Sequence, residues 1–314
     1  KFIINLFMKK KILFFLGLIL FFSISMKLID TSLTYIYGLG DPIIYKYSKI
    51  YGYEIKPNQK IKRRGNKIFI NNMGMRSSQN WVKNNLKNMN KILFFGDSVT
   101  YGGSIVSNKD LFSERICKLL NNNKSKYICG NYGVNGFSFF SISQLIKYKK
   151  IDSDSLIVIT LIGNDFTRSF HNIGSQPFWG KKINNFYPAL TEILFIFIDR
   201  YRNVIKYDFA DEDNFFNNNK KYYDDLFLNF TKSLEDKKYI IFYSPSKSEI
   251  NGSNEYLYFK EKLSSYKNFF DLTEIKFNKK EEIYHDHIHL NKMGHKVYAD
   301  YMSKKIKKII DENQ

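Results

Sequence analysis

The stretch Lys91-Ile92-Leu93-Phe94-Phe95-Gly96-Asp97-Ser98 holds a short apolar run that ends in a glycine and two polar residues. Four large apolar residues in a row are typical of a strand that is buried on both faces. Similar runs occur at residues 127–129, 156–161 and 239–243, and a weaker one at 269–272. Stretches with helical spacing separate the runs, so the sequence predicts an α/β fold with a central parallel sheet of about five strands and helices on both faces.

Two of the helical stretches have recognisable ends. We expect Asp110 to cap a helix, and the core face of that helix is predicted to be Phe112, Ile116, Leu119 and Leu120. A closing helix is expected over residues 292–310. Residues 166–237 fit neither pattern well, and we predict that they are an insertion within a main domain that covers residues 91–314.

The segment before this domain, residues 31–90, is basic and rich in turn signals. The sequences Arg63-Arg64-Gly65-Asn66 and Asn72-Met73-Gly74 favour turns. Between them, residues 67–70 fit a strand, and we expect this strand to form a hairpin with residues 53–55. The segment is therefore predicted to be a β-rich lead-in.

The first 30 residues carry a membrane signal. Lys9-Lys10-Lys11 precede residues 12–26, which hold no charge, and Met8 is the expected start of this signal. Fifteen helical residues span only about 22 Å, so the apolar residues after Lys27 are needed to approach a hydrocarbon core of ~30 Å. Two interpretations stay open: a signal peptide cleaved after Ser23-Ile24-Ser25, and an uncleaved N-terminal membrane anchor. In both, the lysines keep the N-terminus in the cytoplasm, and the rest of the chain is exported to a periplasmic or extracytoplasmic location.

The charge of the 314-residue chain is strongly basic, with 49 Lys and Arg against 30 Asp and Glu and a net charge of +19. A basic excess can indicate nucleic-acid binding, but the sequence has no helix-turn-helix pattern, zinc-finger spacing or RNA-binding aromatic motif. The chain is also rich in Lys, Asn, Ile, Phe and Tyr, whose codons are A/T-rich, and this bias alone supplies lysines. We therefore predict no nucleic-acid partner.

Cys117 and Cys129 are the only two cysteines, and they are 12 positions apart. In an oxidising compartment they could form a disulfide, while their apolar surroundings fit buried free thiols equally well. The spacing is not the CxxC of a redox or zinc pair.

Small, polar or titratable residues stand next to the predicted strands. Gly96-Asp97-Ser98 follows the first strand, Gly133-Val134-Asn135-Gly136 the second and Gly163-Asn164-Asp165 the third, while Asp286-His287-Ile288-His289 precedes the closing helix. Ligands of open parallel sheets bind at the carboxyl ends of the strands, so we expect these four segments to meet at one edge of the sheet.

The four segments contain the groups that activate a serine hydroxyl. Ser98 needs a base, and His289 can be that base because imidazole titrates near neutrality. Asp286 can accept the other ring N–H and so hold the imidazole in the required tautomer. The oxyanion of an acyl-transfer intermediate needs donors, which the backbone N–H groups of Ser98 and Gly136 and the side-chain amide of Asn164 can supply.

The chain resembles the SGNH hydrolase superfamily, the GDSL-like lipases and esterases, over roughly residues 90–310. Gly96-Asp97-Ser98 matches the first block of that family, Gly136 the glycine of the second, Gly163-Asn164-Asp165 the third and Asp286-His287-Ile288-His289 the fifth. In most members the glycine of the third block stands one position further from the asparagine. The stretch Asn71-Asn72-Met73-Gly74-Met75-Arg76 also resembles one that precedes the first block in some bacterial members. The resemblance implies a three-layer, flavodoxin-like α/β/α sandwich, Ser98 as the nucleophile, and no required cofactor.

The resemblance and the expected export together predict a serine esterase of the bacterial envelope, attached to the membrane or secreted. Its expected substrate is an O-acyl or O-acetyl group on a cell-envelope glycan or lipid. Two alternatives stay open: an O-acyltransferase with a sugar hydroxyl as acceptor, and a non-catalytic glycan-binding protein. The alternation of His285, His287 and His289 also fits a metal site, but no second group of ligands accompanies it, so we expect no metal.

Overall fold

The structure is a computed structural model that describes residues 2–82, 86, 88–122, 126–168, 183–204, 219–275 and 283–312. The chain divides into two compact units. One unit consists of Lys1–Pro42, Lys62–Gly65 and Lys182–Asp208, and the other of Ile43–Ile61, Asn66–Lys181 and Phe209–Gln314. The predicted domain boundaries stay predictions, since residues 169–182 and 205–218 of the expected insertion lie outside the described residues.

The strands of the described residues are β1 (Tyr45–Ser48), β2 (Gly52–Ile55), β3 (Gln59–Arg63), β4 (Asn66–Ile70), β5 (Asn90–Gly96), β6 (Tyr127–Asn131), β7 (Leu156–Leu161), β8 (Lys238–Tyr243) and β9 (Phe269–Asp271). The helices are α1 (Phe2–Tyr37), α2 (Ser98–Tyr101), α3 (Phe112–Asn121), α4 (Phe139–Tyr148), α5 (Gly163–Thr167), α6 (Pro188–Val204), α7 (Lys220–Leu234), α8 (Lys247–Ile250), α9 (Leu257–Ser264) and α10 (Lys292–Glu312). Short 3-10 turns occur at Asn108–Asp110 and Leu272–Glu274.

Five of these strands form a parallel sheet in the order β6-β5-β7-β8-β9. They coincide with the five predicted apolar runs, which confirms the predicted α/β fold. The chain winds outward in opposite directions from β5 and β7. A crevice at the carboxyl ends of these two strands is therefore the expected ligand site.

Both faces of the sheet are buried, and alternate residues of each strand face opposite sides. On β5, Leu93 and Phe95 belong to one buried cluster, and Ile92 and Phe94 belong to the other. Side chains of α4 and α7 complete the first cluster, and side chains of α3 and α10 complete the second. Helices on both faces thus make the three layers that the sequence predicted.

The strands before this sheet form two short pairs, and the predicted hairpin of residues 67–70 with residues 53–55 is wrong. β2 pairs with β1, and β4 pairs with β3. Arg64 and Gly65 have φ angles of 47° and 79°, the positive values that a two-residue hairpin turn requires. The turn therefore returns β4 onto the strand directly before it.

The start of α3 also differs from the prediction. Asp110 lies in a 3-10 turn, and Leu111 occupies the cap position without a side-chain hydrogen bond. The Asp110 carboxylate instead pairs with Arg115, at 2.7 Å between Oδ1 and Nη2. Leu119, predicted to be in the core, is 46% exposed.

The two cysteines form a disulfide that joins α3 to β6. The Cα atoms of Cys117 and Cys129 are 5.8 Å apart. Of the two alternatives that the sequence left open, the structure therefore has the disulfide.

The N-terminal apolar run is part of a longer helix than predicted. Residues Met8–Tyr37 of α1 contain an apolar window with a mean hydropathy of 2.5, and none of that window is buried. Thirty helical residues extend about 45 Å, more than the ~30 Å of a hydrocarbon core. The length and composition of α1 fit a membrane span, and a signal sequence has the same features.

Candidate active site

β5 ends at Gly96, where the chain turns into the short helix α2. A Cβ atom on residue 96 would lie 2.1 Å from Thr100 Oγ1 and 2.4 Å from the carbonyl oxygen of Thr160, so only glycine fits here. Asp97 caps α2, and its Oδ1 accepts a hydrogen bond from the backbone N–H of Val99 at 2.8 Å. Ser98 is thereby fixed as the first, largely buried residue of α2.

Ser98, His289 and Asp286 form a continuous chain of hydrogen bonds. Ser98 Oγ lies 2.8 Å from His289 Nε2, and His289 Nδ1 lies 2.8 Å from Asp286 Oδ2. The structure thus brings together three of the predicted site residues, although Ser98 and His289 are 191 positions apart. In this arrangement the imidazole can take a proton from the hydroxyl while the carboxylate holds its other nitrogen.

Asp286 is held by backbone groups of its own loop. Its Oδ1 accepts hydrogen bonds from the backbone N–H of Ile288 at 3.0 Å and of His289 at 2.8 Å. Partial burial acts to raise the pKa of Asp286, but these backbone hydrogen bonds and the His289 side chain lower that pKa to about 2. The carboxylate is therefore ionised at neutral pH and can stabilise an imidazolium.

The loop that follows β6 packs against α2. Asn131 donates from Nδ2 to the carbonyl oxygen of Thr100 at 2.6 Å. A Cβ atom on Gly133 would lie 2.4 Å from the backbone nitrogen of Tyr101, so glycine is required for this close approach. Gly136 follows in the same loop with a φ of 75°. The second predicted segment is therefore adjacent to the helix that carries Ser98.

Asn164 lies in the first turn of α5, directly after β7, and its side chain has a tyrosine partner. Asn164 Nδ2 donates a hydrogen bond to the hydroxyl oxygen of Tyr256 at 3.1 Å. A Cβ atom on Gly163 would lie 2.0 Å from Tyr256 Cδ2, so the ring occupies the space that a larger residue would need. Among the described residues, neither Asn164 nor Gly136 is hydrogen-bonded to Ser98; Asn164 follows β7 and Gly136 follows β6, at the same edge of the sheet.

A buried ionic cluster lies beside Ser98. Arg168 Nη1 is 2.9 Å from Asp97 Oδ2, 3.0 Å from the carbonyl oxygen of Phe137 and 3.2 Å from Asp165 Oδ1. We call these four residues the Arg168 cluster. Burial and the neighbouring Asp97 raise the pKa of Asp165 well above its usual range, against the opposite effect of Arg168. One guanidinium therefore joins the first and third predicted segments to Phe137, the residue that directly follows the second.

The Arg168 cluster also contacts Ser98 itself. Ser98 Oγ is 3.1 Å from Asp97 Oδ2, the same carboxylate oxygen that pairs with Arg168. The serine hydroxyl thus has two acceptors within reach, Asp97 Oδ2 and His289 Nε2. A hydroxyl has one proton to donate, so these acceptors compete for it.

Sequence analysis missed both Arg168 and Tyr256. Arg168 stands three positions after Asp165, a spacing that places their side chains on one face of a helical turn, and this signal was available. Tyr256 is 92 positions from Asn164, and nothing local in the sequence indicates their contact.

Arg76, the last residue of the recognised lead-in stretch, is fully buried next to the end of α2. Its guanidinium donates hydrogen bonds to the carbonyl oxygens of Tyr101 and Val106, the first at 2.5 Å. Burial lowers the pKa of Arg76. The lead-in stretch therefore supports the segment directly after the nucleophile helix.

The alternating histidines of residues 285–289 do not act together in the structure. His289 points to Ser98, whereas the side chain of His287 is 75% exposed. Within the described part of the chain, no group of three His, Cys, Asp or Glu side chains is arranged to hold a metal ion.

A serine hydroxyl, an imidazole and a carboxylate at the carboxyl edge of a parallel sheet are the features of an α/β serine hydrolase. The profile of the GDSL-like lipase/acylhydrolase family matches residues 92–302. The chain belongs to this family, and it is a serine hydrolase that acts on ester bonds.

Solved structures similar to this chain include two bacterial proteins. A lipolytic protein of the G-D-S-L family from Veillonella parvula is 15% identical, with 69% of this chain and 96% of that chain covered and a TM-score of 0.40. A lipase/acylhydrolase from Enterococcus faecalis is 15% identical, with 70% and 96% covered and a TM-score of 0.44. The comparison with curated proteins gave no match.

Proposed function

We propose that the protein removes an O-acyl group, such as O-acetyl, from a cell-envelope glycan or lipid through an acyl-enzyme on Ser98. The observation that carries this proposal is the hydrogen-bonded chain from Ser98 through His289 to Asp286. The family supplies the reaction class, ester hydrolysis.

In the proposed reaction, Ser98 Oγ attacks the ester carbonyl carbon and its proton passes to His289 Nε2. The tetrahedral intermediate then breaks its C–O bond to the alcohol, and His289 returns the proton to that oxygen. Water attacks the acyl-enzyme with His289 again as base, which releases the carboxylic acid and restores Ser98. Asp286, whose low pKa keeps it ionised, stabilises the imidazolium in both steps.

The proposed oxyanion donors are the backbone N–H groups of Ser98 and Gly136 and the side-chain amide of Asn164. Two observations support Asn164. It stands at the carboxyl end of β7, next to the strand that leads to Ser98, and its amide nitrogen carries two protons, of which Tyr256 accepts one. Within the described part of the chain the second proton has no acceptor, so it is available to a developing oxyanion.

The proposed role of the Arg168 cluster is to weaken the competing acceptor. Asp97 Oδ2 is close enough to hold the Ser98 proton away from His289. Its ion pair with Arg168 draws electron density from that oxygen and makes it a poorer acceptor. The serine proton then favours His289 Nε2, which is the direction that nucleophilic attack needs.

An envelope location is the proposed setting for this reaction. The support is α1, an apolar helix with lysines before its uncharged stretch. A protein attached to the membrane by α1 would meet acylated glycans and lipids of the envelope rather than soluble cytoplasmic esters.

The proposal is tested with aryl esters of increasing acyl length and with acetylated sugars, each assayed with wild type, Ser98→Ala and the control Ser265→Ala. Ser265 is an exposed serine whose hydroxyl donates to the carbonyl oxygen of Lys262. Hydrolysis lost in Ser98→Ala and kept in Ser265→Ala supports the proposal, as does an acyl adduct on Ser98 seen by mass spectrometry of the trapped enzyme. Hydrolysis that persists in Ser98→Ala contradicts it. Adding a glycan acceptor and measuring its acylation separates hydrolysis from acyl transfer.

A further inference from the structure

Helix α6 carries a large exposed apolar surface. Leu194, Ile196, Phe197 and Ile198 are all exposed, and the most exposed, Phe197, has 73% of its surface accessible. Leu194, Phe197 and Ile198 follow the i, i+3, i+4 spacing of one helix face. Soluble proteins rarely leave such a contiguous surface in water, so this face calls for an apolar partner.

The opposite face of α6 is buried and firmly held within its own unit. Ala189 and Glu192 are buried. Glu192 forms an ion pair with Arg63 and accepts a hydrogen bond from the backbone N–H of Gly40 at 2.5 Å. These contacts fix the rotation of α6 about its axis. The polar contacts of Glu192 therefore turn the apolar face of α6 outward. The exposure of this face does not come from a failure of the helix to pack.

The unit that contains α6 also contains α1, and α6 begins next to α1. The backbone N–H of Leu190 donates to Asp30 Oδ1 at 3.0 Å, and Asp30 is a buried residue of α1. Lys27 Nζ donates to the carbonyl oxygen of Phe186 at 2.5 Å and lies 4.5 Å from the centre of the Phe186 ring. Phe186 is itself 65% exposed. An apolar surface therefore continues from α1 through Phe186 to α6.

We propose that α6 is a second membrane contact, a helix that lies in the bilayer interface with Leu194, Phe197 and Ile198 among the lipid acyl chains. The occupant of its apolar face is the same lipid that surrounds α1, since the two apolar surfaces are continuous. Lys27 Nζ lies 3.7 Å from Asp30 Oδ2 and over the rings of Phe186 and Tyr187, and such groups of cationic and aromatic side chains are common at membrane interfaces. This inference rests on the proposed attachment through α1. It adds that the protein is held at the membrane surface by two elements.

The test uses the full chain, purified in detergent and inserted into lipid nanodiscs of mixed phosphatidylcholine and phosphatidylglycerol. A nitroxide label is placed on Phe197→Cys and, as a matched control, on Leu228→Cys. Leu228 is an exposed leucine of α7, in the other unit. The native cysteines are joined in the disulfide and are not labelled. Electron paramagnetic resonance then compares the access of oxygen, which enters lipid, with that of a water-soluble nickel chelate.

The proposal expects a label at residue 197 that oxygen reaches and the nickel chelate does not, at a depth of roughly 5–10 Å below the headgroups. The label at residue 228 should show the reverse. Equal access of the nickel chelate at both positions overturns the proposal, because α6 would then lie in water. Dipolar broadening between labels at residue 197 in the nanodisc also overturns it, because a second copy would then cover the face.

Two further measurements separate this proposal from the proposed function. Co-elution of the protein with nanodiscs shows that the chain is attached to the bilayer, and it does not depend on where the face of α6 lies. Hydrolysis of a soluble aryl ester by the labelled Phe197→Cys protein reports the Ser98 site and should stay within about twofold of wild type, as expected for the substitution of an exposed residue. Loss of co-elution would count against the membrane attachment, and loss of hydrolysis would count against the proposed chemistry. The accessibility of the label at residue 197 alone decides whether α6 lies in the bilayer interface.

Discussion

Ser98 Oγ and His289 Nε2 lie 2.8 Å apart, yet the two segments that carry these residues are stabilised by different kinds of contact. The Ser98 loop is buried and supported by side chains that come from distant positions, such as Arg76 and Arg168. The Asp286–His289 loop is partly exposed and supported by its own backbone N–H groups. Ser98 is therefore fixed by tertiary contacts, whereas His289 and Asp286 are fixed by a local turn.

This difference predicts how each side responds to substitution. Changes near the nucleophile disturb a buried network and should affect stability together with activity. Changes in the histidine loop touch a partly exposed turn and should affect activity much more than stability. The predictions below test that contrast.

The largest effect is expected for the two residues that meet. Ser98→Ala and His289→Ala should each lower kcat for a short-chain aryl ester by about 10⁴-fold or more, because neither residue works without the other. The double variant should be no worse than either single variant. Steady-state kinetics with the purified full chain measures all three, and near-wild-type activity in either single variant would show that the triad is assigned wrongly.

A smaller loss of activity is expected for Asp286→Ala, about 10²–10⁴-fold in kcat, because the imidazole then loses its orientation and the stabilisation of its protonated form but is still present as a base. The pKa of Asp286 is lowered to about 2, so its stabilising contribution is present above the ordinary carboxyl pKa and is lost as the pH falls toward about 2. Thermal denaturation should therefore show a difference between wild type and Asp286→Ala that shrinks between about pH 5 and pH 2. A constant difference over this range would contradict the assignment of the low pKa to the loop's hydrogen bonds.

Asn164→Ala should lower kcat by ~10²–10³-fold with little change in KM, as loss of an oxyanion donor does. The amide stabilises charge that develops only in the transition state, so substrate binding is spared. A loss below about tenfold would remove Asn164 from the oxyanion site.

The sheet was predictable from the sequence because its strands are buried on both faces and leave unbroken apolar runs. The contact of Ser98 with His289, and of His289 with Asp286, was predictable because Gly-Asp-Ser and Asp-x-x-His are local patterns that stand next to those strands. Arg168 and Tyr256 were not predicted, since their roles come from contacts over 71 and 92 positions of the chain. The hairpin pairing was predicted wrongly because the two-residue turn at Arg64 was not given enough weight against strand composition.

Arg168→Met tests whether the buried contacts beside Ser98 stabilise the fold. Removing the guanidinium leaves the Asp97 and Asp165 carboxylates without their cation, which should destabilise the fold by about 3 kcal/mol. The pKa of Asp165 is already raised and would rise further, and protonation relieves the repulsion. A group with a raised pKa adds stability at low pH and loses it as the pH rises through that pKa, so the loss in Arg168→Met should be larger at about pH 8 than at about pH 5.

Thermal denaturation of Arg168→Met and of the control Arg168→Lys at the two pH values measures this effect. Arg168→Lys keeps the charge and should recover most of the stability, while the activity of both variants should fall by about tenfold or less. A loss of stability that is the same at both pH values would contradict the prediction that Arg168 offsets a repulsion between the Asp97 and Asp165 carboxylates.

The smallest effect is expected for Tyr256→Phe, which removes the acceptor of the Asn164 amide and keeps the ring that fills the space beside Gly163. The tyrosine hydroxyl holds one amide proton, so its loss lets Asn164 rotate and weakens the donor that points at the oxyanion. One neutral hydrogen bond is worth about 1 kcal/mol, which corresponds to about fivefold in kcat. The matched control is Tyr222→Phe, an exposed tyrosine of α7. If Tyr256→Phe lowers kcat in the Asn164→Ala background as much as in wild type, the Tyr256 hydroxyl acts on a group other than Asn164. The segment Gly163-Asn164-Asp165 would then be held by local contacts, as the histidine loop is.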